Sequence, residues 1–122
     1  MNKKNKTFFI ISGSGNTFVW FRMELLKSMQ KRGYRIYAAS PEISSSSLDI
    51  LESNNINHIQ IKLSRKSFSL YNLVSSIFEL LRIYKEINPD IVLSYMHKSI
   101  IAANIASQIH GVKSVFSMIT GL

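Results

Sequence analysis

Glycine, hydroxyl and cationic residues gather in short loops of this 122-residue chain, and these residues could do chemistry. Residues 12–17 read SGSGNT, and the missing side chains at Gly13 and Gly15 would let backbone amides approach a phosphate. The same composition is equally typical of a tight turn. The segment therefore predicts either a phosphate-binding loop at residues 13–16 or a simple turn.

Two further loops combine cations with other polar groups. Residues 64–68 (SRKSF) contain Arg65 and could clamp a diphosphate, dock on anionic lipid headgroups, or simply be solvated. Residues 95–99 (YMHKS) place the imidazole of His97 beside the ammonium of Lys98, and this pair could bind an acceptor hydroxyl or a phosphate. Because His97 follows a predicted core strand, it is the candidate for a catalytic residue.

Other familiar sites are excluded by residue type or spacing. A nicotinamide fingerprint would need a third glycine where Phe18 stands, and an acidic residue where the second strand ends in Ala39 and Ser40. The first loop lacks the Gly-Lys-Ser/Thr of a nucleoside-triphosphate site, and no two carboxylates are placed for acid–base hydrolysis. Without cysteine a thiolate metal site is excluded, and we expect neither a metal ion nor a cofactor.

The charge balance and the lack of long apolar segments limit the partners and the location. A formal net charge of +8 favours a phosphate-rich partner: an anionic membrane surface, a diphosphate-linked molecule or nucleic acid. Nucleic acid is disfavoured, because no alternation of basic and aromatic residues and no zinc-finger spacing accompanies the charge. No stretch approaches the roughly 18 to 20 apolar residues that span a bilayer. Since the absence of cysteine suits a reducing compartment, we expect a cytoplasmic protein that can sit at the inner leaflet of the membrane.

Apolar runs and helical periodicities alternate along the chain and define its fold class. Strands are predicted at 7–12, 34–39, 58–63, 90–95 and 112–119, and helices at about 18–32, after the serine run 44–47, at 70–87 and at 99–110. Such alternation predicts an α/β, Rossmann-like parallel sheet with helices on both faces, formed by residues 1–122 as a single domain. Strand 58–63 alternates apolar and polar residues, which suits a sheet edge. The loops after strands one, three, four and five would meet at the carboxyl edge, where ligands bind.

Short motifs in a fixed order resemble the opening of family 4-like glycosyltransferases, most of all bacterial enzymes that build capsule, O-antigen or other surface glycans. The motifs are Phe21-Arg22, Leu25-Leu26, Lys31-Arg32-Gly33-Tyr34-Arg35-Ile36, Ala39-Ser40-Pro41, Asn88-Pro89-Asp90-Ile91-Val92, His97-Lys98, residues 102–106, His110-Gly111-Val112 and Thr120-Gly121-Leu122. They cover nearly the whole chain, from Thr7 to Leu122. The resemblance implies the amino-terminal, Rossmann-like half of a GT-B fold, here incomplete.

The resemblance also implies a reaction, in which a sugar moves from a nucleotide-sugar to an acceptor, often a lipid-diphosphate-linked glycan, usually with retention of configuration. The residues it assigns to the donor diphosphate are Gly13, Ser14, Gly15 and Asn16. The residues it assigns to the acceptor are Arg65, His97, Lys98, Thr120 and Gly121. The family's carboxy-terminal domain, which supplies the acidic residues that hold nucleotide and sugar, is absent from these 122 residues. We therefore expect an acceptor-binding part that is inactive alone.

A second hypothesis is a non-catalytic subunit of a split glycosyltransferase. In that case the basic loops and Trp20 would dock on a membrane and anchor a separate chain that carries the carboxy-terminal half. A third, a generic nucleotide-binding Rossmann domain, is disfavoured by the missing third glycine and acidic residue.

Overall fold

A computed structural model of the protein describes residues 6–62, 70–95 and 97–118, with the backbone alone at residues 70, 95, 97–100, 117 and 118. The elements in chain order are β1 (Lys6–Ile11), α1 (Asn16–Phe21), α2 (Met23–Lys31), β2 (Tyr34–Ser40), α3 (Ser45–Ser53), β3 (Asn57–Gln60), α4 (Leu70–Ile87), β4 (Ile91–Tyr95), α5 (His97–His110) and β5 (Ser114–Met118). This order reproduces the predicted alternation of strands and helices.

The described strands form one parallel sheet in the order β3-β2-β1-β4-β5. The central strand is β1, whose Ile11 pairs with Ala39 of β2 on one side and with Ser94 of β4 on the other. Strand β3 lies at an edge, as the alternation in residues 58–63 predicts. The parallel sheet confirms the predicted α/β, Rossmann-like fold class.

Helices cover both faces of the sheet, because successive strand residues point to opposite sides. Phe9, Ile11 and Val92 pack with side chains of α4 and α5 in one buried cluster. Phe8 and Ile10 pack with side chains of α1, α2 and α3 in the other. The sheet is thus enclosed between two apolar layers, which leaves its strand ends as the places where polar groups can gather.

Tyr84 links α4 to its neighbours inside the first layer. Its ring is fully buried and meets the ring of Phe9 edge to face, with the centroids 5.7 Å apart. The Tyr84 hydroxyl lies 3.1 Å from Oγ of Ser107 on α5, within hydrogen-bond distance. Burial raises the pKa of Tyr84 to about 12, because the phenolate would lose its hydration.

The helix predicted at 18–32 consists of two helices that meet at Arg22, where φ is −120° and ψ is 0°. Because Arg22 departs from helical angles, the segment is bent there. Hydrogen bonds from the Arg22 amide to the Phe18 carbonyl (3.2 Å) and from the Leu26 amide to the Arg22 carbonyl (3.0 Å) span this point, so no loop separates the two helices. Phe18 and Leu26 are buried. Phe21 follows Phe18 at helical spacing, which predicts a place on the same apolar face, but it is 67% exposed. On a straight helix, residues eight positions apart point about 80° away from each other. Phe18 and Leu26, on the two sides of the bend, pack in the same buried cluster against the sheet.

Candidate functional site

Later strands are added on opposite sides of β1, and the loop at residues 12–15 and the start of α5 follow the two strands, β1 and β4, that meet at this switch point. Strands β2 and β3 lie on one side of β1, whereas β4 and β5 lie on the other. Ile11 and Ser94 are paired neighbours, so the segments that follow them leave the sheet side by side. Such switch points at the carboxyl edge are where open parallel sheets bind ligands. The fold therefore brings the loop at residues 12–15 next to the start of α5.

His97 and Lys98 are the first two residues of α5, and a single residue separates His97 from the end of β4 at Tyr95. Their backbone lies at the edge that the sequence predicts, but their side chains lie outside the described part of the structure. Arg65, Thr120 and Gly121 lie outside it altogether. The functional roles assigned to these residues stay predictions.

Hydrogen bonds within the loop and to the first turn of α1 give residues 12–15 their shape. The Ser14 amide donates to Oγ of Ser12 (3.2 Å), and the Thr17 hydroxyl donates to the Ser14 carbonyl (2.6 Å). The hydroxyls of Ser12 and Thr17 lie 3.1 Å apart. Short hydroxyl side chains commonly bond to nearby backbone groups in this way. The serines and threonine of this segment therefore hold the turn.

Gly15 joins the loop to the turn between β2 and α3. Its amide donates to the Glu42 carbonyl (2.8 Å). A Cβ at this position would lie 2.6 Å from both Oγ of Ser40 and Cβ of Ile43. Because φ of Gly15 is −68°, the close approach of these two groups, and not a left-handed backbone, requires glycine here.

These internal bonds decide which amides of residues 13–16 can serve a ligand. The amides of Ser14 and Gly15 donate within the protein. For the amides of Gly13 and Asn16 the described part of the chain supplies no acceptor. The Asn16 side chain has a separate task, since its Oδ1 accepts from the Ser44 amide (3.0 Å). The loop therefore contains two amides, at Gly13 and Asn16, that donate to no acceptor in the described part of the chain.

Buried serine hydroxyls lie beneath the loop at the ends of the central strands. Ser12 follows β1, Ser40 ends β2 and Ser94 lies in β4, and all three are fully buried. Oγ of Ser94 has no hydrogen-bond partner among the described residues. An unpaired buried hydroxyl costs about 1–3 kcal/mol. Polar atoms are thus present at this edge despite their cost in stability.

His58 of β3 contacts the same edge, although the sequence assigned it no functional role. Its Nε2 lies 2.7 Å from Oγ of Ser40. Burial lowers the pKa of His58 below its ordinary value, because the charged imidazolium would lose hydration. The sequence shows only that His58 begins a strand. Its proximity to Ser40 depends on the register of β3 against β2, which pairs His58 with Ala38.

Neither a metal cluster nor a membrane-spanning helix occurs in the described ranges. No three histidine, aspartate or glutamate side chains there lie close enough together to hold a metal ion. No helix there combines the length and the apolar composition needed to cross a bilayer.

The topology and the polar carboxyl edge define a Rossmann-like α/β protein of the type that binds ligands at a switch point. Residues 9–122 match the model of the family described as "Glycosyl transferase 4-like". The chain belongs to this family, which confirms the resemblance in its motifs. No curated protein sequence matches the chain.

Solved structures with a similar fold include MurG of Acinetobacter baumannii and a glycosyltransferase of Rickettsia africae ESF-5. Their TM-scores are 0.70 and 0.71 at 17% and 16% identity, covering 91% and 94% of this chain but 33% and 30% of theirs. A UDP-N-acetylglucosamine 2-epimerase has a TM-score of 0.68 at 18% identity, covering 98% of this chain and 33% of its own. At these identities the likeness shows the fold alone. The chain spans about a third of the length of these proteins.

Proposed function

We propose that this chain forms the acceptor-side part of a glycosyltransferase, which moves a sugar from a nucleotide-sugar to a glycan acceptor carried on a lipid diphosphate. The observation that carries the proposal is the family match over residues 9–122, together with the polar loop at the switch point of the sheet. The shared fold of MurG and of the Rickettsia glycosyltransferase supports it.

In this proposal the loop at residues 13–16 meets the diphosphate of the donor. The amides of Gly13 and Asn16 have no acceptor among the described residues, and phosphate oxygens accept such N–H groups readily. The amides of Ser14 and Gly15 hold the loop in shape instead. The donor would therefore be contacted by the first and last amides of the segment.

The acceptor would be bound on the side of α5. His97 could accept a proton from an attacking or bound hydroxyl, and the ammonium of Lys98 could attract a diphosphate. The family resemblance adds Arg65, Thr120 and Gly121 to this side. In the family that the motifs resemble, acidic residues of another domain hold nucleotide and sugar, so we propose that residues 9–122 supply the acceptor side of the site and need such a domain for transfer.

Amide chemical shifts of the ¹⁵N-labelled chain during titration with UDP or GDP would test the donor contact. We expect shifts at residues 13–16 that saturate with either nucleotide, and shifts at residues 97 and 98 with a short-chain polyprenyl-diphosphate sugar. The variant Gly13→Val should weaken nucleotide binding by about tenfold or more, because a side chain would block approach to the amides. Asn57→Ala is the matched control, because Asn57 is exposed at the amino end of β3, away from the carboxyl edge of the sheet.

Two results would contradict the donor contact. One is a set of shifts confined to the amino edge of the sheet, at Tyr34–Ile36. The other is equal nucleotide affinity in Gly13→Val and in the wild-type chain.

A specific observation also favours a docking function at the cytoplasmic leaflet. Trp20 and Phe21 of α1 are 63% and 67% exposed, with their rings in edge-to-face contact at 6.2 Å. Exposed aromatic side chains on α1, followed by exposed cations such as Lys27 and Lys31 on α2, suit the interface of an anionic bilayer. This surface could dock the chain, or a separate chain that it binds, on the membrane that holds the acceptor.

Flotation with phosphatidylglycerol vesicles at low and high salt tests the docking function. We expect Trp20→Ala to reduce vesicle binding and high salt to weaken what is left. Tyr71→Ala on α4 removes an 80% exposed aromatic side chain from the opposite face of the sheet and should leave binding unchanged. Equal losses in the two variants would exclude α1 as the docking surface.

A further inference from the structure

A chain of hydrogen bonds runs from the edge strand β3 to the loop at the switch point. Nε2 of His58 lies 2.7 Å from Oγ of Ser40. The Ser40 hydroxyl donates to the Glu42 carbonyl (2.9 Å), and the same carbonyl accepts from the Gly15 amide (2.8 Å). His58, on the edge strand, is thus connected to the loop at residues 13–16, which we propose meets the donor.

The contacts around Ser40 leave no room for it to move independently. Ser40 is fully buried, and its Oγ lies 2.6 Å from the position that a Cβ of Gly15 would occupy. The Ser40 amide plane is also held, since its carbonyl accepts from the Ile61 amide (3.1 Å). A rotation of the Ser40 hydroxyl would therefore disturb either the Glu42 carbonyl or Gly15.

The number of protons available for these hydrogen bonds determines which group must donate to Ser40. The Ser40 hydroxyl carries a single proton, so it can donate to Glu42 and bond to His58 together only if Nε2–H of His58 is the donor. An imidazole protonated at Nε2 therefore orients the hydroxyl toward the Glu42 carbonyl. Without that donor, the hydroxyl proton has a choice of partners and the carbonyl loses its fixed position.

We propose that His58 is a positioning residue, which acts through Ser40 and the Glu42 carbonyl to hold Gly15 and with it the ligand-binding loop at residues 13–16. Its meaning for ligand binding rests on the function proposed above. His58 touches neither donor nor acceptor in this arrangement. Its effect is on the geometry of the two amides, at Gly13 and Asn16, that flank the anchored pair.

Two substitutions of His58 differ only in reach and form a matched pair. In His58→Gln the side-chain amide nitrogen stands the same number of bonds from Cβ as Nε2 and can donate to Ser40. In His58→Asn it stands one bond short. We expect His58→Asn to speed hydrogen exchange of the Gly15 amide by roughly threefold to tenfold, the range for loss of one net hydrogen bond. His58→Gln should restore most of the protection, and the Ile56 amide of the neighbouring core should not change in either variant.

The affinity for UDP, measured by calorimetry on the same chains, should follow the exchange of Gly15. His58→Asn should weaken UDP binding by a similar factor, and His58→Gln should recover it. If His58→Asn folds poorly, Ser40→Ala tests the same connection. It should reproduce the effect on Gly15, and adding His58→Asn to it should cause no further change, because the two residues act in series.

The outcomes separate the positioning role from the proposed function. Gly15 exchange that is the same in wild type, His58→Asn and His58→Gln would overturn the positioning role, as would equal damage in both variants. If Gly15 follows the expected pattern but the wild-type chain does not bind UDP, the positioning role stands and the donor contact fails. If the chain binds UDP and the affinity is the same in His58→Asn, His58→Gln, Ser40→Ala and wild type, the role of His58 in ligand binding is wrong.

Discussion

At the scale of single residues, the site depends on groups that pack closely and not on unusual backbone angles. Gly15 has an ordinary φ of −68°, yet a Cβ there would lie 2.6 Å from Ser40 and from Ile43. Contacts below 3 Å between carbon atoms do not occur without a shift of one partner. The glycine is therefore a requirement of the packing between two loops.

We expect Gly15→Ala to lower the free energy of unfolding by about 1–3 kcal/mol, the usual cost of an overpacked site. Urea denaturation of the variant and of wild type gives this difference. Ser28→Ala, an exposed change on α2, is the control and should stay within about 0.5 kcal/mol of wild type. An unchanged midpoint in Gly15→Ala would show that the two loops are not in tight contact.

Tyr84 gives the protein a specific response to alkaline pH. Its folded-state pKa is raised to about 12, above the value of about 10 for an exposed phenol. The neutral phenol therefore stabilises the fold fully below about pH 10, and this stability is lost as the pH rises toward 12. We expect Tyr84→Phe to show a shallower loss of stability between pH 10 and 12 in urea denaturation. A loss as steep as in wild type would mean that Tyr84 titrates normally.

At the scale of elements, the bend at Arg22 determines which side chains of the first helical segment belong to the core. The periodicity of the segment assigns Phe18 and Phe21 to one apolar stripe, but only Phe18 is buried. Trp20 and Phe21, the last two residues of α1 before the bend, are exposed instead and contact each other edge to face. An element that the sequence describes as a regular helix thus also provides an exposed aromatic surface.

Phe18→Ala and Phe21→Ala test the bend as a matched pair. We expect Phe18→Ala to cost about 3–5 kcal/mol, because a fully buried ring leaves a cavity. Phe21→Ala should change the stability by no more than about 0.5 kcal/mol. Similar losses in the two variants, measured by thermal or urea unfolding, would indicate a straight helix with both rings in the core.

At the scale of the whole molecule, β1 joins the first three strands of the chain to β4 and β5. The junction is the place where β4 lies beside β1. Asp90 holds this junction at the amino edge: its Oδ2 accepts from the Thr7 amide (2.8 Å), and its own amide donates to the Thr7 carbonyl (2.9 Å). These residues are 83 positions apart in the chain. The junction aligns β1 and β4, and the register of this pair places loop 12–15 next to α5 at the other edge.

We expect Asp90→Ala to destabilise the protein by about 1.5–3 kcal/mol, the range for a hydrogen bond to a charged group. Asp90→Asn keeps an acceptor oxygen and should lose less. Asp49→Ala removes an exposed carboxylate from α3 and serves as the control for the change in net charge. If Asp49→Ala and Asp90→Ala had equal effects in urea denaturation, the carboxylate of Asp90 would have no structural role at the junction.

The sequence by itself determined the order of the elements, the parallel sheet and the edge position of β3. These features follow from local patterns of period-two and period-3.6 apolar spacing. Only the tertiary structure decided that α1 and α2 bend at Arg22, that Gly15 is needed for packing, and that His58 reaches Ser40. These features depend on strand register and on which side chains compete for the same space, and residues far apart in the chain decide both.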